Sequence, residues 1–395
     1  MRLIHTSDWH LGRSFHQVGL LGAQAAFVDH LVEVVRAESV DAVLVSGDVY
    51  DRAMPAPDTV GLLSEAVTRL VDAGASVVLS SGNHDSAIRL GFASDLLSRA
   101  GLHIRSRLDE VGEPVLVKGV AVYPLPYLEP ALAAEPLGAT ERTHAGVLGA
   151  AMGRVRADLA RRGGAPSVVM AHAFVTGGAT SDSERDISVG GVGAVHPRTF
   201  GGVDYVALGH LHGRQRLEES VRYSGSPLAL SFSEARHTKG SWLVDLEADG
   251  RLQVEAVTAP VPRPLAVLRG DLQDLLDDPV HSGAEGAWCQ VTLTDTVRPA
   301  GAMDQVRRRF PHTLELRFDP QGTPVQVQPY SRRAIGESAL EVCCGFLGHV
   351  RSGRVATDAE RKTLAAAIEA VRTNRSGQAD EGGVAALPQR TEGAA

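Results

Sequence analysis

Five short apolar runs in this chain each stop abruptly at a side chain able to bind a metal ion, and this recurrence constrains the fold more than any other feature. The run Arg2–Thr6 leads to Asp8 and His10, and Ala42–Val45 leads to Asp48. Val77–Leu79 leads to Asn83, His84 and Asp85, Ser167–Met170 to His172, and Tyr205–Leu208 to His210 and His212. Short β-branched runs bounded by Ser and Gly read as buried strands of a parallel sheet. Helical periodicity fills the gaps: Phe27, Leu31, Val34 and Val35 within Gln24–Glu38, then Thr59–Ala73, and later Thr143–Arg162. Strand and helix in alternation predict parallel pairing with right-handed crossovers. The polar groups then gather at the carboxyl end of one sheet, the edge where open α/β sheets bind ligands. Asp8 and His10, two apart, point the same way on an extended backbone.

A single histidine at a strand end is usually a satisfied structural residue. Five such ends in alternation are different, because carboxylates and imidazoles so concentrated would repel and go unpaired without a cation. The donor set of Asp, Asn and His, without cysteine, suits a divalent ion such as Mn²⁺ or Fe²⁺ better than a structural zinc site. Two ions side by side need a shared carboxylate, and Asp48, alone after its strand, is the candidate bridge. Such a pair clamps the attacking and leaving oxygens of an in-line phosphoryl displacement and supplies the water nucleophile. His84 stands next to Asn83 and is followed by Asp85; a carboxylate on one ring nitrogen would orient the imidazole as a general acid.

Length and charge set the outer bounds. At 395 residues the chain exceeds one compact core, so two or three domains are expected. No apolar run reaches the roughly 18 residues that span a bilayer. The opening Met1–Asp8 lacks a secretory apolar core, and Cys289, Cys343 and Cys344 have no framework spacing, so reduced thiols and a cytoplasmic protein are expected. A net charge of −8 argues against a generally sticky nucleic-acid coat, although local basic patches are compatible with it.

Between the third and fourth runs the pattern loosens to a helix near Ala93–Ala100 and a strand pair around Val115–Val122. A glycine-rich loop, Ser188–Ala194, precedes the fifth run, and β-rich sequence follows from Tyr223 to Val244. Pro260, Pro262 and Pro264 mark a boundary before a small unit with strand Trp288–Leu293, helix Ala302–Arg309 and strand Thr313–Phe318. Beyond Pro329, two amphipathic helices carry stripes of Leu340, Cys343, Phe346, Leu347 and Val350, and of Leu364, Ala367, Ile368 and Val371. Thr357 and Glu360 form a capping-box pattern at the second start, and the residues from about Ser376 read as disordered.

Asp8-Trp9-His10, Gly47-Asp48, Gly82-Asn83-His84-Asp85, His172 and Gly209-His210-Leu211-His212, in this order, resemble the calcineurin-like metallophosphoesterase superfamily. The resemblance implies an α/β fold: a metallophosphoesterase β-sandwich flanked by helices, with a small α/β capping domain and C-terminal helices. It implies a nuclease domain over 1–262, a DNA-contacting cap over 263–330, a partner-binding helical segment over 331–374 and a disordered tail over 375–395. Carried over, it gives Asp8, His10, Asp48 and His212 to one ion and Asp48, Asn83, His172 and His210 to the other, with His84 as the catalytic histidine and Asp85 behind it. The ions would be Mn²⁺, with Mg²⁺ or Fe as substitutes. The activity implied is that of a DNA nuclease in repair, recombination and replication, a double-strand 3′–5′ exonuclease and single-strand or hairpin endonuclease. The partner implied is an ATPase of the structural-maintenance type, and the chain has no phosphate loop of its own. A homodimer within a heterotetramer would result. The alternative is a phosphatase or small-molecule phosphodiesterase of the same superfamily, which Gly47-Asp48-x-x-Asp51-Arg52 echoes. Those enzymes place Glu after Gly-Asn-His, whereas Asp85 stands here.

Overall fold

The computed structural model describes residues 1–184, 193–320, 338–350 and 355–379. The five apolar runs are strands: β1 (Arg2–Thr6), β2 (Ala42–Ser46), β3 (Ser76–Ser80), β4 (Ser167–His172) and β5 (Tyr205–Gly209). They do not share one sheet. β1, β2 and β3 run parallel in the order β1-β2-β3 and continue parallel into Leu102–Arg105, while Gly240–Leu246 pairs antiparallel on the other side of β1. β4 and β5 run parallel in a second six-stranded sheet, between Val120–Pro124 and Val221–Tyr223. The expected single edge is therefore two edges brought together. Each run alone has the composition of a strand buried on both faces, and nothing in it says which of two sheets it joins.

The sandwich interior explains those uninterrupted runs. Leu3, Ala42, Leu44 and Val78 from the first sheet pack against Val122, Val168, Met170 and Ala207 from the second, all fully buried. The opposite face of the first sheet is covered by helices α1 (Leu21–Ala37) and α2 (Pro57–Asp72), through Phe27, Leu31, Val35, Leu63 and Leu70. Helix α3 (His144–Arg161) covers the second sheet through Val147, Leu148, Ala151 and Val155. Its start is set by Thr143, whose hydroxyl accepts the Gly146 N–H at 3.0 Å. At roughly 1.5–3 kcal/mol for each fully buried aliphatic side chain, these layers hold the strand ends rigidly in place. Register keeps the ends level: Ser46 lies opposite Ser80, and Gly209 opposite His172.

The expected helix over Ala93–Ala100 is broken into Ser94–Leu97 and a 3₁₀ turn, Ser98–Ala100, and Ala93 has a left-handed φ of 57° that prevents an earlier start. Of the glycine-rich loop expected over Ser188–Ala194, residues 188–192 lie outside the described residues.

By compactness the chain divides into two units, one of Met1–Leu268, Pro279–Val291 and Phe310–Glu315, the other of Arg269–Asp278, Thr292–Arg309 and Leu316–Ala395. Strands Leu265–Gly270, Trp288–Leu293 and Thr313–Phe318 form a three-stranded sheet in that order. In the second unit, helix Ala302–Arg309 is followed by helices Ala339–Val350 and Asp358–Ala379. The capping box is present: the Thr357 N–H donates to Glu360 Oε2 at 2.8 Å, and the Glu360 N–H to Thr357 Oγ1 at 3.4 Å. Arg361 pairs with Glu341 at 2.9 Å across the two helices, while Phe346 and Val371 are about half exposed. The second helix runs to Ala379, past the expected end at 374; residues 321–337 and 380–395 lie outside the described residues. No helix among the described residues is long and apolar enough to cross a membrane.

Candidate metal centre

All seven side chains expected to bind metal lie at the level strand ends, and Asp8, His10, Asp48, His172, His210 and His212 are buried. Asp48 is the hub. Its Oδ2 lies 3.6 Å from His10 Nε2 and 3.4 Å from His172 Nε2, so one carboxylate oxygen sits between imidazoles from different sheets. Its Oδ1 accepts the His84 backbone N–H at 2.8 Å. On one side, His10 Nε2 approaches His212 Nε2 to 3.2 Å, and Asp8 completes a group of three able to share an ion. On the other, His172 Nε2 lies 2.9 Å from Asn83 Oδ1, and Asp8, Asp48 and His172 form a second group. The His210 ring stands 5.3 Å from that of His172, and its backbone N–H donates to both Asp8 carboxylate oxygens at 3.0 and 3.1 Å.

The backbone is distorted to achieve this. Asp8, His10, Asp48 and His210 all have positive φ, at 53°, 42°, 49° and 104°. Asp8 and His10 therefore do not converge through an extended strand; each is turned by a left-handed residue. For side chains with a Cβ such conformations cost about 1–3 kcal/mol each and persist where the surroundings over-determine them. The surroundings here include Gln24 of α1, whose amide donates to the carbonyls of His10 and Trp9 at 2.7 and 3.2 Å and accepts the Gly12 N–H at 3.0 Å. Trp9, fully buried, donates its indole N–H to Thr6 Oγ1 at 3.0 Å and packs edge-on against Phe27. Glycine is required beside the hub: a Cβ on Gly82 would lie 2.1 Å from Asp48 Oδ1, and one on Gly47 2.3 Å from His172 Nδ1.

Charge is unevenly divided among these buried groups. Burial pushes the Asp8 carboxyl up to about 6 despite the pull of His172. Burial acts the same way on Asp48, but His172, His10 and His84 outweigh it and hold that carboxyl well below its usual range. Burial disfavours a charged His172, yet Asp48 overrides this and raises it to about 9. Burial and the charge of His172 together depress His210 to about 3. The ring of His172 donates from Nδ1 to the Ser46 carbonyl at 3.0 Å and directs Nε2 at Asn83 and Asp48, so a cation is favoured where these oxygens meet. Buried carboxylate, amide and imidazole donors converging from two sheets fit divalent ions.

His84 is placed differently from the expectation. Its ring stands 4.8 Å from that of His10 and perpendicular to it, but Nδ1 lies 2.9 Å from the backbone carbonyl of Asp51. The Asp85 carboxylate instead accepts the N–H groups of Val49, Tyr50 and Gly82, at 3.1, 2.9 and 2.9 Å. Asp85 thus ties the Asp48 loop to the Asn83 loop, and a carbonyl rather than a carboxylate orients His84. Burial and the charge of Asp48 push the Asp85 carboxyl up to about 6. The Asp51 side chain lies 3.4 Å from His10 Nδ1 and accepts from Arg13 at 3.0 Å. Gln24 and the groups around His212 (Ser183, Glu184, Glu234 and Lys239) are not legible as site residues in the sequence, since each lies outside the strand-end motifs.

A family model described as calcineurin-like phosphoesterase matches residues 1–214, and one described as type 5 capsule protein repressor C-terminal domain matches residues 261–345. The chain is 28% identical over 319 residues to a Staphylococcus epidermidis protein named as the SbcD component of nuclease SbcCD, covering 80% of this chain and 85% of that one. Among solved structures, the psychrophilic β-glucosidase BglU of Micrococcus antarcticus aligns over 80% of this chain and 82% of its own at 14% identity, but its TM-score of 0.20 carries no argument about the fold. The first family match contains every member of the buried cluster, from Asp8 to His212.

Proposed function

The chain belongs to the calcineurin-like phosphoesterase family and hydrolyses phosphodiesters; from that premise we propose that it is a DNA nuclease of the SbcD type, cutting DNA with two divalent ions. The single observation that carries the two-ion reading is Asp48 Oδ2 between His10 Nε2 and His172 Nε2, at 3.6 and 3.4 Å. Asp8, His10, Asp48 and His212 would hold one ion, and Asp48, Asn83, His172 and His210 the other; Mn²⁺ would suit both donor sets. When bound, the ions supply charge stabilisation of the phosphoryl oxygens and an activated water nucleophile. The remaining work falls to the protein. His84, oriented through Nδ1 by the Asp51 carbonyl, delivers the proton to the departing oxygen from its other ring nitrogen. Asp85, through the Val49, Tyr50 and Gly82 N–H groups, keeps His84 and Asp48 in fixed relation.

DNA as substrate and an SbcC-type ATPase as partner are supported by the similarity to the SbcD component of SbcCD and by the second family match. The polarity we propose is 3′–5′ on double strands, with endonucleolytic cutting of single strands and hairpins, in repair, recombination and replication in the cytoplasm. The helical pair Ala339–Val350 and Asp358–Ala379, with Phe346 and Val371 exposed, is the segment offered to the ATPase. A homodimer within a heterotetramer is supported by Ile88, Phe92 and Leu96, which are 89, 80 and 63% exposed beside a cavity of about 500 Å³ lined by Leu63, Val67, Leu90 and Leu97. The test is the purified protein with Mn²⁺ on a DNA hairpin, with and without the ATPase and ATP. Cleavage abolished by chelation supports the reading; no cleavage under any of these conditions, with turnover of a phosphopeptide instead, overturns it.

A further inference from the structure

His212 is gripped at three atoms by groups outside the metal-binding set. Its backbone N–H donates to Glu184 Oε1 at 2.8 Å, and its carbonyl accepts from Lys239 Nζ at 2.8 Å. Its ring Nδ1 lies 2.7 Å from Ser183 Oγ, whose hydroxyl donates to Glu234 Oε1. Glu234 Oε1 is itself 3.4 Å from the same Nδ1. The other Glu234 oxygen accepts from Lys239 and from the Leu230 N–H at 3.2 Å. Lys239 spends its last donor on Ser226 Oγ at 2.9 Å. The result is a buried network in which the ammonium has three acceptors: Glu234 is 1% exposed, Lys239 6% and His212 1%.

Stability alone does not explain such a pair. Desolvating a carboxylate and an ammonium offsets most of their attraction, and apolar residues of similar volume often serve the fold as well or better. What apolar residues could not do is fix a proton. The Ser183 hydroxyl has one hydrogen, and Glu234 takes it, so Ser183 Oγ must accept from His212. That places the ring hydrogen on Nδ1 and leaves Nε2 as the lone pair, facing His10 Nε2 at 3.2 Å. Metal-binding imidazoles commonly owe their tautomer and aim to a carboxylate on the far nitrogen.

We propose that Glu234, paired with Lys239 and acting through Ser183, is a positioning residue that sets the tautomer and direction of His212 for one of the two ions. This rests on the metal-centre reading above and deepens it: the two ion sites should differ in their dependence on Glu234, because His172 is oriented separately, by the Ser46 carbonyl.

The experiment is a calorimetric Mn²⁺ titration of the full chain as wild type, Glu234→Leu, Glu234→Gln and Ser183→Ala, with melting curves in EDTA and a nitrogen NMR spectrum of the His212 ring without metal. Wild type should bind two ions. Glu234→Leu should weaken one site about 10–100-fold and spare the other, and should also lower the metal-free melting temperature, because it leaves Lys239 buried without its carboxylate. Glu234→Gln, which keeps an acceptor for Ser183, should recover most of the affinity. Ser183→Ala leaves the ion pair intact, should weaken the same site, and should turn the single Nδ1–H tautomer into a mixture; it decides the matter if Glu234→Leu does not fold. Wild-type affinity at both sites in Ser183→Ala, or an unchanged tautomer, overturns the inference. A wild type that binds no ion overturns the metal-centre reading itself.

Discussion

Replacing Gly82 by alanine tests whether the position of Asp48 limits the chemistry. The added Cβ would stand 2.1 Å from Asp48 Oδ1 and 2.3 Å from the Asp48 nitrogen, whereas ordinary contact begins at 3.4 Å. The carboxylate must therefore retreat by about 1.3 Å, the difference between 3.4 and 2.1 Å. Gly82 does not have a positive φ, so the penalty comes from this clash, in which the Asp48 backbone nitrogen must give way along with the carboxylate. Its cost in stability is that of overpacking, about 1–3 kcal/mol. Its cost in rate is larger: a misplacement of about 1 Å takes roughly 10²-fold from a reaction that depends on positioning. The same movement separates Asp48 Oδ2 from His10 or His172, which lie 3.6 and 3.4 Å away, so the apparent Mn²⁺ affinity should fall with the rate. Hairpin cleavage, a calorimetric Mn²⁺ titration and a melting curve on one preparation read all three quantities. A folded Gly82→Ala protein that binds two ions as tightly as wild type and cleaves within a few-fold of it would refute the reasoning.

Asp48→Asn keeps the shape of the hub and removes its charge, so the chain should hold at most one Mn²⁺, and two ions retained by metal analysis would contradict a bridging role. Chelation should lower the melting temperature: at a free ion concentration a hundred times Kd each site contributes about 2.7 kcal/mol, and a midpoint unmoved by EDTA counts against the cluster as a metal site. His5 is depressed to about 3 by burial, with Nδ1 facing Tyr205 and Nε2 donating to the Leu208 carbonyl. Below about pH 6.5 the unfolded chain binds that proton and the folded chain does not, so stability falls by about 1.4 kcal/mol per pH unit toward pH 3. His5→Gln should flatten the melting temperature against pH in this window, and an unchanged slope would show that His5 is not buried neutral. Phe92→Glu should yield a monomer by light scattering while leaving Mn²⁺ binding intact; a persistent dimer would place the dimer surface elsewhere.

What the sequence reveals follows from how local each cause is. β1 to β5 are legible because every run carries its own apolar composition and its own terminating ligand, and the Thr357–Glu360 cap because both partners lie within one turn. Assignment of the strands to two sheets is not, since Val168 and Val43 look alike whether their neighbours are in one layer or two. The role of Asp85 is hidden for a similar reason: its partners Val49 and Tyr50 lie far upstream, while His84 stands next to it in sequence and does not receive its carboxylate. Lys239 reads equally well as a solvated charge beside a motif. Its burial depends on Glu234, five residues earlier, and on the His212 carbonyl, a contact that only the folded chain creates. The left-handed conformations of Asp8, His10, Asp48 and His210 carry no local signal, because they are imposed by packing against neighbours such as Gln24 and Gly82.

The claim that the centre divides into ion-holding residues and a separate proton donor is tested most directly by His84→Ala, with bound metal and hairpin cleavage measured on one sample. The expected result is two Mn²⁺ per chain at wild-type affinity, with cleavage reduced by at least the roughly 10²–10⁴-fold attributed to a general acid. Cleavage at the wild-type rate, or loss of an ion together with the activity, would contradict it.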